Sequence, residues 1–436
     1  MKRFVPIGEV LEGKHTDKDI RIRGWIYRAR SSGKIVFDLI RDRSGIIQVV
    51  ASKEKVPKKD FGDAKRASVE SSVEIRGVIK QDPRAPGGYE LKSKEFRVVH
   101  FSEPFPITKD KSIDFLLEQR HLWVRSRELA AIMSMKAKLL RIFREWFDSN
   151  DFLEVTPPII TTSTAEGGAT AFGLDYFGQK AYLSQTAQMY LEALIFSSER
   201  VWTITPSFRA EKSRTRKHLI EYMHLEVEMA WVDHDENMRI QEELVAYAAN
   251  QIASRCEREF AELGVDPSNL KKISTPFKRI EYTDAIEIIR SNGVNTRWGE
   301  DFGAPHEKVL LDKFNEPIFV MNFPKECKAF YMKENPKDPR TYLCDDLLVP
   351  NGGEIIGASE RETDVNKLIE RLKVLGIKDP ESPESGYKWY LDLRRYGSVP
   401  HSGFGLGVER FLLWVTEQEH IRDMQPFPRT PSRAYP

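Results

Sequence analysis

The chain has 436 residues, 40% apolar and 31% charged, and its 67 basic and 66 acidic side chains leave a net charge of +1. That length exceeds one ordinary core and favours two domains. No apolar run reaches membrane-spanning length, Met1-Lys2-Arg3 leads into no signal-like segment, and Cys256, Cys327 and Cys344 fit neither paired zinc spacing nor a disulfide framework, so a cytoplasmic protein is expected.

Charge is uneven along the chain. Residues 1–100 carry 23 basic against 14 acidic side chains, and the remainder 44 against 52. A basic module on an acidic body points to a polyanion at the module. Within it, short runs rich in apolar residues recur at Ile20–Tyr27, Ile35–Ile40, Ile46–Val50, Val73–Ile79 and Phe96–Val99, with a further one at Tyr89–Leu91. Ile20-Arg21-Ile22-Arg23 and Val73-Glu74-Ile75-Arg76 alternate as strands with one wet face do. Asp42–Gly45 reads as a turn, and polar Lys58–Ser71 as a helix. Three strands, a helix and two strands is the order of an OB-fold barrel, a binder of single-stranded nucleic acid. An aromatic such as Phe37 can stack a splayed base and an amide such as Gln48 can read a base edge; taken by itself, Phe37 favours the core over such a platform. His100–Arg120, with Pro104 and Pro106, reads as a linker, and 101–125 is taken as the boundary zone.

Beyond it, Leu129, Ile132, Met133, Leu139, Leu140, Phe143, Trp146 and Phe147 mark one face of a helix over Ser126–Asn150, with Ser126 as its N-cap. The run Phe152–Ile160 follows, strand-like except for Pro157-Pro158, which suits an edge or interface position. Thr164–Ala169 sets two glycines beside Glu166, as a loop closing over a ligand would. In Phe208-Arg209-Ala210-Glu211 a guanidinium and a carboxylate stand two apart, on one face if the segment is extended. The basic run Lys212–His218 suits phosphates. Gly403–Arg410 sets glycines where backbone passes close to something, then an arginine at the mouth of an apolar helix.

Phe208–Glu211 and Gly403–Arg410 together resemble motifs 2 and 3 of class II aminoacyl-tRNA synthetases, and the long helix with Pro158 resembles motif 1, their homodimer interface. Gly33–Arg43 with Gln48 looks like the anticodon-binding barrel of the aspartyl/asparaginyl/lysyl subgroup, here of archaeal type. The resemblance covers about residues 18–436. It implies an α+β chain with an OB-fold anticodon-binding domain over 1–100 and, over 126–436, a catalytic domain built on an antiparallel sheet flanked by helices. It also implies roles. Arg209 and Arg410 would be the catalytic cations, Arg209 bridging the α-phosphate of ATP and the amino acid's carboxylate, Arg410 holding the γ-phosphate. Glu211 would accept from adenine, Tyr222 would stack on it, and Arg216, Lys217, His218 and Glu354 would complete the ATP site, Lys217 standing where many relatives have arginine. Asp346 and Glu354 would hold Mg2+, with Gly357 where the aspartyl branch has serine. Glu166 and Gln188 would meet the α-amino group. Phe37 and Gln48 would contact the central anticodon uridine, with Arg28 and Glu90 as further contacts.

Three positions select the substrate. Arg361, seven residues after Glu354, matches the arginine that grips the side-chain oxygen in the aspartyl and asparaginyl branches. Leu191 replaces a lysine of the aspartyl branch, and Glu226 replaces its aspartate. One fewer cation and a longer carboxylate disfavour a second carboxylate and suit an amide. L-asparagine and tRNA(Asn) are therefore the expected substrates, through asparaginyl-adenylate with release of pyrophosphate and AMP. The rivals are an aspartyl enzyme of relaxed specificity, which Leu191 opposes, and an asparagine synthetase derived from this domain, which would lack the barrel. A non-catalytic RNA-binding paralogue should have lost Arg209 or Arg410.

Overall fold

In this computed structural model residues 4–165, 170–211 and 215–436 are described. The chain divides into two compact units, Met1–Leu116 and Leu117–Pro436. The division falls inside the expected linker, whose second half is helical over Arg120–Trp123. There Arg120 is buried and donates to the carbonyls of Gln425 and Pro426, at 2.7 and 2.9 Å.

The first unit is a closed barrel of β1 (Asp19–Ser32), β2 (Ile35–Arg41), β3 (Ile46–Ser52), β4 (Ser72–Gln81) and β5 (Tyr89–His100), in the order β1-β2-β3-β5-β4. Strict burial alternation along β2 and β3 puts Val36, Ile40, Ile47 and Val49 inside, as a half-buried strand requires. The turn at 42–45 is made by Asp42, whose carboxylate accepts from the amides of Ser44 and Gly45 at 2.6 and 2.9 Å. Two expectations change. Tyr89–Leu91 and Phe96–Val99 are one strand, β5, bulged against β4 near Gly77. The helix after β3 is shorter, Lys58–Arg66, because Ala67 already takes extended backbone.

The second unit continues with β6 (Leu153–Glu154), β7 (Ile160–Thr161), β8 (Gly173–Tyr176), β9 (Gln179–Leu183), β10 (Arg200–Phe208), β11 (Glu221–Ala230), β12 (Lys278–Glu281), β13 (Ile318–Met321), β14 (Cys344–Val349), β15 (Gly353–Glu360) and β16 (His401–Gly407). Its main sheet runs β12-β13-β14-β15-β16-β11-β10-β6. The six central strands are antiparallel as expected, but β12 is parallel to β13 and β6 to β10, so the sheet is mixed at both edges. The helix Arg127–Ser149 begins at Ser126, whose hydroxyl accepts from the Leu129 amide at 3.3 Å. Its core face includes Met135 and Ile142, whereas Met133 and Leu140 are only partly buried. Phe147 on this helix stacks on Trp202 of β10, centroids 4.2 Å apart. The run Phe152–Ile160 is not one strand: β6 pairs with β10, β7 joins a separate sheet β7-β9-β8, and Pro157-Pro158 lies between them. The prolines cannot donate to a ladder, which explains the break.

Candidate active site and barrel face

β10 and β11 form a hairpin in register from Arg200–Met229 to Phe208–Glu221, and β16 pairs with β11 from the other side. Along β11 the side chains at 224, 226 and 228 share one face, because strand side chains alternate. His224, Glu226 and Glu228 are all buried there. The glycines of β16 explain how. A Cβ at Gly403 would collide with the Glu228 carboxylate, and one at Gly405 with the His224 ring. The close passage read from the sequence is thus a passage over these two side chains.

Two cavities share a wall of Arg209, His224, Glu354 and Gly405. The first is lined by Arg209, Glu211, Lys217, His218, Tyr222, Glu354 and Arg410, which the sequence assigned to ATP. The Arg209 guanidinium lies 5.7 Å from the Tyr222 ring centroid. Arg410 donates to the backbone carbonyl of Glu354 and lies 3.3 Å from its carboxylate. His218 is depressed below its ordinary pKa by burial and by Arg410, so it is neutral near pH 7. Arg216 is exposed and lines neither cavity; its carbonyl accepts from the Ile421 amide at 3.0 Å.

The second cavity, about 470 Å³, is lined by Gln188, Arg209, Glu226, Asp346, Glu354 and Arg361, among others. Arg361 is fixed on three sides: its Nε and Nη2 each donate to Glu228 at 2.9 Å, and its Nη1 donates to Ser359 at 2.6 Å. This is a bidentate fork in a buried setting. Burial works against the charge of Arg361, and Glu228 and Glu192 outweigh it, so its pKa is raised. Glu226 accepts from the Thr186 hydroxyl and, at 2.8 Å, from the Ala187 amide. Burial nevertheless pushes it up to about 7. Gln188 donates from Nε2 to Glu192 at 2.9 Å, and Glu192 is held by Tyr390, Arg394 and His401. Leu191 packs with Ala187, Ile195, Val201 and Ala230 and does not line the cavity, so no cation enters from that position. Glu166 lies outside the described residues.

Asp346 on β14 stands opposite Gly357 on β15. A Cβ at Gly357 would lie 3.4 Å from Glu354 Oε1 and 3.8 Å from Asp346 Oδ1, so the two carboxylates flank one spot. Hard oxygen donors converging in this way fit Mg2+. Lys328 donates to both Asp346 oxygens, at 2.7 and 3.0 Å. Burial opposes its charge, but Asp346 and Asp301 prevail, and the ammonium stays protonated. Lys217 meets Glu307 at 3.4 Å.

Glu228, Glu192, Lys328, Asp301 and Glu307 were missed from the sequence. Glu228 carried a readable signal, since three polar residues at period two interrupt an apolar strand. Asp301 and Glu307 belong to 262–320, which offered no mechanistic reading; only tertiary folding brings Asp301 to the wall of the second cavity and Glu307 to Lys217.

On the barrel the four expected anticodon residues share one outer face. Leu39 pairs with Arg28 on one side and Gln48 on the other, Phe37 is two residues from Leu39, and Gln48 pairs with Glu90. Phe37 is half-buried on this face and is not among the interior residues of the barrel. Gln48 donates from Nε2 to Glu90 at 3.1 Å.

A model of tRNA synthetases class II (D, K and N) matches residues 112–431, and one of OB-fold nucleic acid binding domains matches 20–99. The chain belongs to the class II tRNA synthetases of this group. It is 51% identical over 421 residues to the asparagine–tRNA ligase of Thermococcus kodakarensis, covering 96% of each chain. It is 44% identical over 434 residues to that of Thermoplasma acidophilum, covering 99% of this chain and 100% of the relative. The crystal structure of asparaginyl-tRNA synthetase from Pyrococcus horikoshii complexed with asparaginyl-adenylate matches with a TM-score of 0.95 at 48% identity over the whole of both chains. Among the described residues no helix is long and apolar enough to cross a membrane.

Proposed function

We infer that this chain activates L-asparagine with ATP to asparaginyl-adenylate and transfers the acyl group to tRNA(Asn). The observation that carries the reading is Arg361, locked by Glu228 and Ser359 in a cavity that Glu226 also lines and that joins the nucleotide cavity along Arg209 and Glu354. A carboxamide offers an acceptor oxygen to Arg361 and donor hydrogens to Glu226. Aspartate would set a second carboxylate against Glu226 with no lysine at 191 to offset it.

A carboxylate oxygen of asparagine attacks the α-phosphorus in line, and pyrophosphate leaves. A terminal ribose hydroxyl of the tRNA then attacks the acyl carbon, and AMP leaves. Activation rests on positioning and charge neutralisation. Arg209, on the wall common to both cavities, neutralises charge where the two substrates meet. Arg410 and Lys217 serve the outer phosphates, His218 donates to them from a ring N–H, and Glu211 and Tyr222 take the base. Asp346 and Glu354 would hold Mg2+, which when bound neutralises triphosphate charge. Gln188, its Nε2 engaged by Glu192, turns its oxygen to the α-ammonium.

On the barrel, Glu90 engages the Gln48 amide nitrogen and leaves the Gln48 oxygen to accept the N3–H of a uridine stacked on Phe37, with Arg28 beside it on the backbone. The chain acts as a homodimer through the helix Arg127–Ser149 and the segment around Pro158, a reading supported by exposed Leu153, Ile159 and Ile160 along that segment. The test of the activity is ATP–pyrophosphate exchange. It should require asparagine and vanish in Arg209→Ala while the fold is kept; exchange that persists in the variant refutes the assignment.

A further inference from the structure

Lys328 follows the short turn Lys325–Cys327 and is nearly enclosed, its side chain 12% exposed. Its ammonium touches both oxygens of Asp346, lies 3.6 Å from Asp301, and sits 3.9 Å from the centroid of the Phe323 ring. Glu354, across Gly357 from Asp346, has its own cation in Arg410. Each carboxylate of the pair is therefore already matched to a positive charge supplied by the protein.

We propose that Lys328 is the resident counter-cation of Asp346 and sets how tightly the Asp346–Glu354 pair takes a divalent cation. This rests on the reading that those two carboxylates hold Mg2+. A divalent ion at that spot shares Asp346 with an ammonium fixed between Asp346, Asp301 and an aromatic face, and like charges at such range repel strongly where solvent is excluded. Free Mg2+ is consequently held weakly. When ATP is present its phosphates supply the missing negative charge, so metal and nucleotide enter together. Asp301 acts in the opposite sense, since it draws off part of the ammonium's field. A lysine that merely packs the wall predicts no tightening when its charge is removed.

Calorimetric titration with Mg2+ alone tests this on the full chain. Lys328→Met keeps the length of the side chain over Phe323 and removes the charge; it should bind Mg2+ at least tenfold more tightly than the unmodified protein. Lys328→Arg, which keeps the charge, should not. Asp301→Asn alters a residue 58% exposed in its side chain, so its fold is safe, and it should weaken Mg2+ binding several-fold. Opposite signs for Lys328→Met and Asp301→Asn support the proposal. Equal or weaker binding by Lys328→Met overturns it, and Lys328→Gln takes its place with the same two outcomes should the methionine variant not fold. Asp346→Asn is the control: if it binds Mg2+ as the unmodified protein does, the carboxylate pair is not the metal site, and the reading beneath the proposal fails instead.

Discussion

Buried carboxylates are treated in two ways in this chain, and each unit supplies an example. In the second unit Glu228 takes two bonds from Arg361, Glu192 is met by Arg394 and His401, and Glu409 pairs with Lys136. In the barrel Asp38 points inward on β2, fully buried, and apart from a weak contact with the Arg30 amide neither carboxylate oxygen has a partner. A paired buried charge gains little stability over apolar packing, but it gives its partner one orientation. That orientation is what a guanidinium needs if, as proposed for Arg361, it is to grip a substrate amide. An unpaired one orients nothing and titrates instead: burial pushes Asp38 up to about 7.

The sharpest way to break this contrast is to unpair the second unit. Arg361→Met should abolish asparagine-dependent exchange and cost about 3–5 kcal/mol in urea unfolding, the penalty of stranding a buried charge. Adding Glu228→Met should restore most of the stability and none of the activity; if the single variant is as stable as the unmodified protein, the pair does not bear on the fold.

Asp38 gives the mirror experiment. Its folded pKa lies above its unfolded value of about 3.9, so the folded barrel holds a proton that the unfolded chain releases. The contribution of Asp38 to stability is then greatest below about pH 4, falls as the pH rises to about 7, and is level above that, a loss of up to about 4 kcal/mol. Asp38→Asn should remove this slope, so that the difference from the unmodified protein in barrel unfolding widens between those limits. A difference independent of pH would mean that the carboxylate finds a partner.

Smaller effects separate the two sites. Phe37→Ala should weaken tRNA charging by about 1–3 kcal/mol, as loss of one stacked base does, and leave pyrophosphate exchange alone; equal loss in both assays would make Phe37 structural. Glu192→Gln should loosen Gln188 and raise KM for asparagine by about tenfold, or about 1.4 kcal/mol, with KM for ATP unchanged. A matching rise in both constants would mean general damage.

The barrel could be read from its sequence because its strands alternate and its Asp42 turn is local. The pairing of the Arg209 and Arg410 segments could be read only through their resemblance to motifs 2 and 3, because Arg209 follows β10, Arg410 follows β16, and β11 lies between those strands. What stayed hidden depends on distant chain. Lys328 meets Asp346, and Glu307 meets Lys217, only once β12 and β13 have joined the sheet edge and brought residues 278–328 beside it. The division of Phe152–Ile160 between two sheets was hidden because apolar periodicity does not say which partner a strand takes. Arg216 shows the converse limit: a basic run suggests a loop for phosphates without saying which of its cations faces outward.

Substrate choice decides the account. The ratio of kcat/KM for asparagine over aspartate in pyrophosphate exchange should reach about 10⁴ or more, as expected where a buried polar pair must be matched. Comparable values for the two amino acids would contradict the pocket described around Arg361 and Glu226.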